Sequence, residues 1–195
     1  MECYLDVAEQ FVEATSVNGW ATVWNWRGDW YVWQRSDFKM VNQSVVERQI
    51  LHFLRSRSSR NLRRSIILNI VDILRLIQAL SADKLPIWLD NSCETEAENV
   101  FVFENGNLSL AEALTEPAIL QPNHPNLFGI AAVDYPFKPH DGCRLWLQFL
   151  DELWPHDVRS KDLLREWFGY CLLPDTSQQK ILSITGPPRS GKSTV

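Results

Sequence analysis

The sequence predicts an α+β module that leads into the first strand and glycine-rich loop of a second unit of α/β type. Three observations predict it. Aromatic and β-branched residues flank Arg27-Gly28-Asp29 and read as a hairpin, apolar residues recur at helical spacing in four later segments, and the last fifteen or so residues read as an apolar strand followed by a Gly-rich loop. In order, this gives a Trp-rich β segment over 1–41, a mixed α/β module over 42–174 (helices, a β-rich middle and a helical end), and the start of a further domain over 175–195.

The hairpin carries Trp20, Trp24, Trp26, Trp30 and Trp33. Alternation places Trp24 and Trp26 on one face, with Trp30 pairing across the turn. Rings of this kind can stack on nucleic-acid bases, but cross-strand packing in a small sheet is the expected role. Val46, Ile50, Phe53 and Leu54 then predict a helix over Ser44–Ser56. Leu62, Ile66, Ile67, Ile70, Val71, Leu74 and Ile77 predict another over Leu62–Leu80. Arg48, Arg55, Arg57, Arg60, Arg63 and Arg64 surround the connection, and from Arg48 on no acidic residue occurs until Asp72. Arginine at this density can neutralise phosphates, which makes Arg57, Arg60, Arg63 and Arg64 candidate DNA contacts. A solvated corner with arginine near a helix C-terminus, favourable for the helix dipole, would explain the same residues.

From Leu85 to Pro139 short extended pieces alternate with Pro, Asn and Gly. Val100 to Phe103 reads as a strand, with a turn expected on Asn105-Gly106 and a returning strand after it. Helical spacing returns in Leu145, Trp146, Phe149, Leu150 and Leu153, where Pro155 ends the helix, and in Leu163, Leu164, Trp167, Phe168 and Cys171, with Ser160 as the expected N-cap.

Composition narrows the function classes. Of 195 residues, 45% are hydrophobic and 22% charged, which excludes collagen-like and low-complexity chains. The net charge of −5 argues against a surface that is basic throughout, and leaves room for a local patch. The N-terminus lacks the basic and apolar regions of a secretory signal, and Ile66 to Leu80 is interrupted by Asn69, Asp72, Arg75 and Gln78, so no membrane span is expected. Cys3, Cys93, Cys143 and Cys171 are scattered, as in a reducing compartment, and a cytoplasmic location follows. His140 and Cys143, with Cys93 and His124 at a distance, lack a second close ligand pair, so a metal site is not expected there.

The chemistry lies in Gly186-Pro187-Pro188-Arg189-Ser190-Gly191-Lys192-Ser193-Thr194, a GxxxxGK[ST] loop directly after the apolar run Ile181 to Ile184. The outer glycines let the backbone wrap with its N–H groups inward, a nest for phosphate. Lys192 would reach the outer phosphates, Ser193 would give its hydroxyl to Mg²⁺, and the helix starting there would aim its positive end at the anion.

Taken together, Asn105-Gly106-Asn107-Leu108, Val133-Asp134-Tyr135, Phe149-Leu150-Asp151-Glu152-Leu153, the segment Glu166 to Leu172, the segment Asp175 to Lys180 and the loop from Gly186 to Ser193 resemble the phage/plasmid primase-helicase family. In that family a poxvirus-type module precedes a superfamily 3 helicase domain. The resemblance implies an AAA+ ATPase that assembles as a hexamer, unwinds DNA in replication of a phage, plasmid or integrated element, and works with a primase. It implies ATP and Mg²⁺ as ligands of the loop residues Gly186 to Thr194. Arg189 stands where many members have Gly. The Walker B acid, sensor and arginine finger of such enzymes have no counterpart before Val195, so the expectation is a fragment whose parent is the enzyme and which is itself inactive. The alternative is a non-enzymatic DNA-binding or assembly module with a vestigial loop.

Overall fold

Arg27 and Gly28 hold φ of +53° and +89°, the two positive values that a two-residue hairpin turn needs to follow the twist of its strands. They join β1 (Val23–Trp26) to β2 (Asp29–Gln34). Arg27 takes this conformation without being glycine. Its guanidinium sits 4.6 Å over the Trp26 ring and donates to the Asp83 carbonyl at 2.6 Å, contacts that offset the strain. This is a computed structural model, and it describes residues 3–57, 62–90, 93–114, 118–138, 142–175, 177–192 and 194–195. A second two-residue turn leads to β3 (Asp37–Val41), and β4 (Ala79–Leu80) adds parallel to β1, giving the order β3-β2-β1-β4.

The sheet is covered on both faces. Three helices, α1 (Tyr4–Thr15), α2 (Gln43–Ser56) and α3 (Arg64–Ile77), pack Phe11, Ile50, Ile70 and Leu74 against Val23, Trp30 and Val32. On the other face Trp24, Trp26, Tyr31, Trp33 and Phe38 surround Phe128. The register pairs Trp24 with Tyr31 and Asn25 with Trp30, so Trp30 lies on the face opposite Trp24 and Trp26 instead of joining them across the turn. All five tryptophans are buried or half-buried, with Trp26 Nε1 donating to the Ala82 carbonyl at 2.8 Å. Packing is their role, as the alternation suggests. The helix α1 carries Val7, Ala8 and Phe11 into the core, an element that the sequence analysis did not anticipate.

Below the aromatic face, β5 (Ile87–Trp88) pairs with β8 (Leu127–Phe128), and a short 3-10 turn (Ala97–Asn99) precedes the hairpin of β6 (Val100–Phe103) and β7 (Gly106–Ser109). Because Phe103 pairs with Gly106, the turn falls on Glu104-Asn105, one residue earlier than expected. Gly106 is needed for a different reason: at φ +154°, a Cβ there would stand 2.7 Å from the backbone oxygen of Gln121. Asn107 and Gln121 exchange backbone hydrogen bonds of 2.8 and 2.9 Å at that spot, so neither chain can retreat freely. Gly106→Ala is expected to cost about 1–3 kcal/mol of stability, read as a lowered urea midpoint. The single-turn helix α4 (Leu110–Ala113) follows under a reciprocal cap, Ser109 Oγ accepting from the Glu112 N–H at 3.2 Å while the Glu112 carboxylate accepts from the Ser109 N–H.

The chain divides into two compact units, 1–137 and 138–195. The sequence analysis set its boundaries at 41 and 174. Residues from both sides of position 41 share the helix-covered core, which joins the first two segments, whereas the last two helices belong with the C-terminal unit. That unit holds α5 (Arg144–Leu153) and α6 (Val158–Leu172). Asp157 caps α6, its carboxylate accepting from the Ser160 N–H at 3.0 Å, so Ser160 is the capped residue and not the cap. The Ser160 hydroxyl and then its N–H hold the Asp157 carboxyl below its ordinary range. Residues 181–184, expected as a strand, make no ladder among the described residues, and Ile181 is 91% exposed. An isolated strand without a neighbour has nothing to offset its ordering entropy.

Candidate phosphate-binding loop

In the C-terminal unit α5 sets the position of the glycine-rich loop. Its apolar stripe places Phe149 and Leu153 against Gly191, where a Cβ would come within 3.4 Å of the Phe149 ring and 3.6 Å of Leu153 Cδ1. Gly191 has φ +76° and Arg189 φ +62°, so the backbone turns through two left-handed residues in three positions. At the other end of the loop a Cβ on Gly186 would stand 2.9 Å from Ser190 Oγ. Gly191 is favoured by its left-handed backbone, with Phe149 and Leu153 in ordinary contact behind it, and a Cβ on Gly186 would displace the Ser190 hydroxyl.

Lys192 closes the turn from within. Its Nζ donates to the Gly186 carbonyl at 3.0 Å, the Pro187 carbonyl at 2.6 Å and Ser190 Oγ at 3.2 Å. These three acceptors are neutral, so the ammonium charge is solvated by dipoles and has no carboxylate side chain to balance it among the described residues. The N–H groups of Ser190, Gly191 and Lys192 donate to no protein group among the described residues. Thr194 N–H and Val195 N–H bond back to the Gly191 carbonyl at 2.9 and 3.3 Å, closing a turn. Uncommitted N–H donors and a cation with no carboxylate side-chain partner among the described residues together favour an anion. Trp154, Ile184, Thr185 and Pro187 complete the walls of a cleft of about 220 Å³ at the loop. Pro188 and Arg189 are exposed on its outer side, and Ser193 lies outside the described residues.

The glycines and Lys192 are the groups that the phosphates of ATP, with Mg²⁺, would meet in this loop. The Lys192 cation sits inside the turn between Gly186 and Ser190, where a phosphate would meet it. The residues fit the nucleotide's phosphates. Phe149 and Leu153 were visible in the sequence only as part of a helical stripe; that they back Gly191 depends on how α5 and the loop pack.

The arginine segment lies in the other unit. Arg48, Arg55, Arg57, Arg63 and Arg64 are all exposed, and Arg60 lies outside the described residues. Arg57 is engaged, donating to Gln10 Oε1 and lying 5.2 Å over the Phe53 ring. The dipole explanation covers Arg55, in the last turn of α2, but not Arg63 and Arg64, which open α3 at its positive end with no acidic residue in the first turn. Among the described residues no group of three or more His, Cys, Asp or Glu side chains gathers to hold a metal ion, and His140 lies outside them. No described helix is long and apolar enough to cross a membrane. Set against models of known protein families and against curated proteins, the chain matches none.

Proposed function

We propose that the loop from Gly186 to Thr194 binds the phosphates of ATP, with Mg²⁺, and that the chain serves a DNA-unwinding ATPase of the primase-helicase type, with DNA and further copies of itself as partners. The observation that carries the nucleotide part is the Lys192 ammonium held inside the loop by three neutral oxygens, next to N–H groups with no protein partner among the described residues. In this role Gly186 and Gly191 allow the wrap, Ser190 and Gly191 present N–H donors, Lys192 supplies the charge, and Ser193 supplies the hydroxyl for Mg²⁺. The metal would neutralise phosphate charge. The support for the DNA-unwinding part is the order of sequence motifs from Asn105 to Ser193.

Calorimetric titration of the chain with ATP, ADP and adenosine in the presence of Mg²⁺ tests the nucleotide part. ATP and ADP are expected to bind and adenosine to bind far more weakly, because the contacts lie on phosphate. Equal binding of adenosine and ATP, or no heat with any of them, would overturn the proposal. In that event a non-enzymatic DNA-binding module, favoured by the exposed arginines at the α2–α3 corner, becomes the better account.

A further inference from the structure

Helix α5 ends on Trp154, whose N–H still donates to the Leu150 carbonyl at 2.9 Å although its backbone has left the helical region, with φ −132° and ψ +69°. Pro155 follows and cannot continue the helix. The preceding residue, Leu153, lies with Phe149 behind Gly191, so the contact that backs the glycine-rich loop also fixes Trp154 at the loop's edge. The Trp154 side chain lines the same cleft of about 220 Å³ as Lys192, inside the C-terminal unit. Its ring is less engaged than other tryptophan rings of the chain. Trp146 meets the rings of Phe149 and Phe168, and Trp167 meets Tyr170, whereas Trp154 meets no aromatic ring among the described residues. Trp24, Trp26 and Trp88 each donate from Nε1 to a backbone carbonyl, and Trp154 Nε1 has no acceptor among the described residues. The residue is half-buried, which leaves part of a flat apolar surface open beside the phosphate loop.

The cleft has two kinds of wall. Leu153, Trp154 and Ile184 give an apolar side, and Ser190 and Lys192 a polar one. Inorganic phosphate would use the polar side alone. A nucleotide uses both, because its anion and its flat base are separate parts of one molecule and every base has a face that stacks on an aromatic ring. The volume limits what the base meets: clefts that enclose a whole ligand run to about 300–1,000 Å³, so this one takes phosphate and one face of a base and leaves the base edge to water. Lys192 donates to Ser190 Oγ, and both belong to the phosphate wall. Thr185 is then the remaining polar side chain among the described lining residues, and a hydroxyl both donates and accepts, so it serves adenine and guanine alike.

We propose that Trp154 is the base platform of the glycine-rich loop: the nucleobase stacks on its indole while the phosphates meet Lys192, and the site takes nucleotides of either purine with little choice between them. This rests on the phosphate reading of the loop and adds the part of the ligand that lies beyond the phosphates.

The test is calorimetric titration of the full chain, and of its Trp154→Leu and Trp154→Phe variants, with ATP, GTP and inorganic tripolyphosphate, each with Mg²⁺. ATP and GTP are expected to bind the parent within about tenfold of each other, since no base-edge recognition is built into the walls. Trp154→Leu keeps an apolar side chain but no ring, and is expected to weaken ATP and GTP about tenfold each, the share of one stacked base, while tripolyphosphate binds as before. Trp154→Phe keeps a ring and is expected to recover most of that loss. Unchanged tripolyphosphate binding also shows that the loop of each variant is intact. Equal loss of all three ligands would assign Trp154 to holding the loop in shape and overturn the platform, and so would ATP binding that Trp154→Leu leaves unaltered. A preference of about a hundredfold or more between ATP and GTP would overturn the assignment to both purines, because it takes hydrogen bonds to the base edge. Binding of none of the three by the parent would remove the phosphate reading itself, and the platform with it.

Discussion

Lys192→Ala removes ATP binding while the C-terminal unit stays folded. Among the described residues the side chain hydrogen-bonds Gly186, Pro187 and Ser190, all neutral oxygens at an accessible loop, so folding does not depend on its charge. Against a polyphosphate the same ammonium makes charge-assisted bonds, each worth about 1.5–3 kcal/mol, and two of them correspond to a loss of about 100-fold or more in affinity. Calorimetry at matched protein concentration reads this directly. Lys192→Arg is a useful partner variant: it keeps the charge but not the compact point-donor geometry, and its affinity is expected to fall between the two. Affinity unchanged in Lys192→Ala would mean that nucleotide, if bound, is held elsewhere.

The largest effect on stability is expected at Phe38. It is fully buried on β3 at the centre of the aromatic face, 4.5 Å from the Phe128 ring and 5.2 Å from the Trp33 ring, measured between centroids. Its N–H donates to the Gly129 carbonyl at 2.9 Å, which ties the four-stranded sheet to the segment carrying β8. Phe38→Ala leaves a cavity that these rigid rings cannot collapse to fill, and a loss of about 3–5 kcal/mol follows. That is a large fraction of the total stability of an ordinary domain, about 5–15 kcal/mol, so a marked drop in urea midpoint is expected. Phe38→Leu retains most of the volume and is expected to lose less than half as much. A near-neutral Phe38→Ala would show that the aromatic face is not a packed core.

Much of the α+β organisation is written in local periodicity. The stripe of Val46, Ile50 and Leu54 and the stripe of Ile70, Val71 and Leu74 identify α2 and α3 because a helix with one buried face must repeat its apolar residues at that spacing. The Arg27-Gly28 turn was legible for a similar local reason. Longer-range facts were not. That the Trp24 face packs on Phe128, far along the chain, depends on tertiary placement, and so does the grouping of residues 1–137 into one unit. The cap of α6 was misplaced because Ser160 and Asp157 are both good caps by type, and only the hydrogen bond from the Ser160 N–H to Asp157 decides between them. At the loop, the spacing of Gly186, Gly191 and Lys192 was legible because a backbone wrap demands it. The backing of Gly191 by Phe149 was not, since it is a contact between segments that local pattern does not connect.

The central claim is that the loop closed by Lys192 is a phosphate site, and amide hydrogen exchange with and without ATP and Mg²⁺ tests it most directly because it reports where the ligand sits. N–H groups that have no partner among the described residues would gain one from phosphate. The account predicts that nucleotide slows exchange at residues 186–195, including Ser190, Gly191 and Lys192, and that the slowing disappears in Lys192→Ala. Exchange in the loop that is indifferent to nucleotide, or protection confined to the unit of residues 1–137, would contradict it.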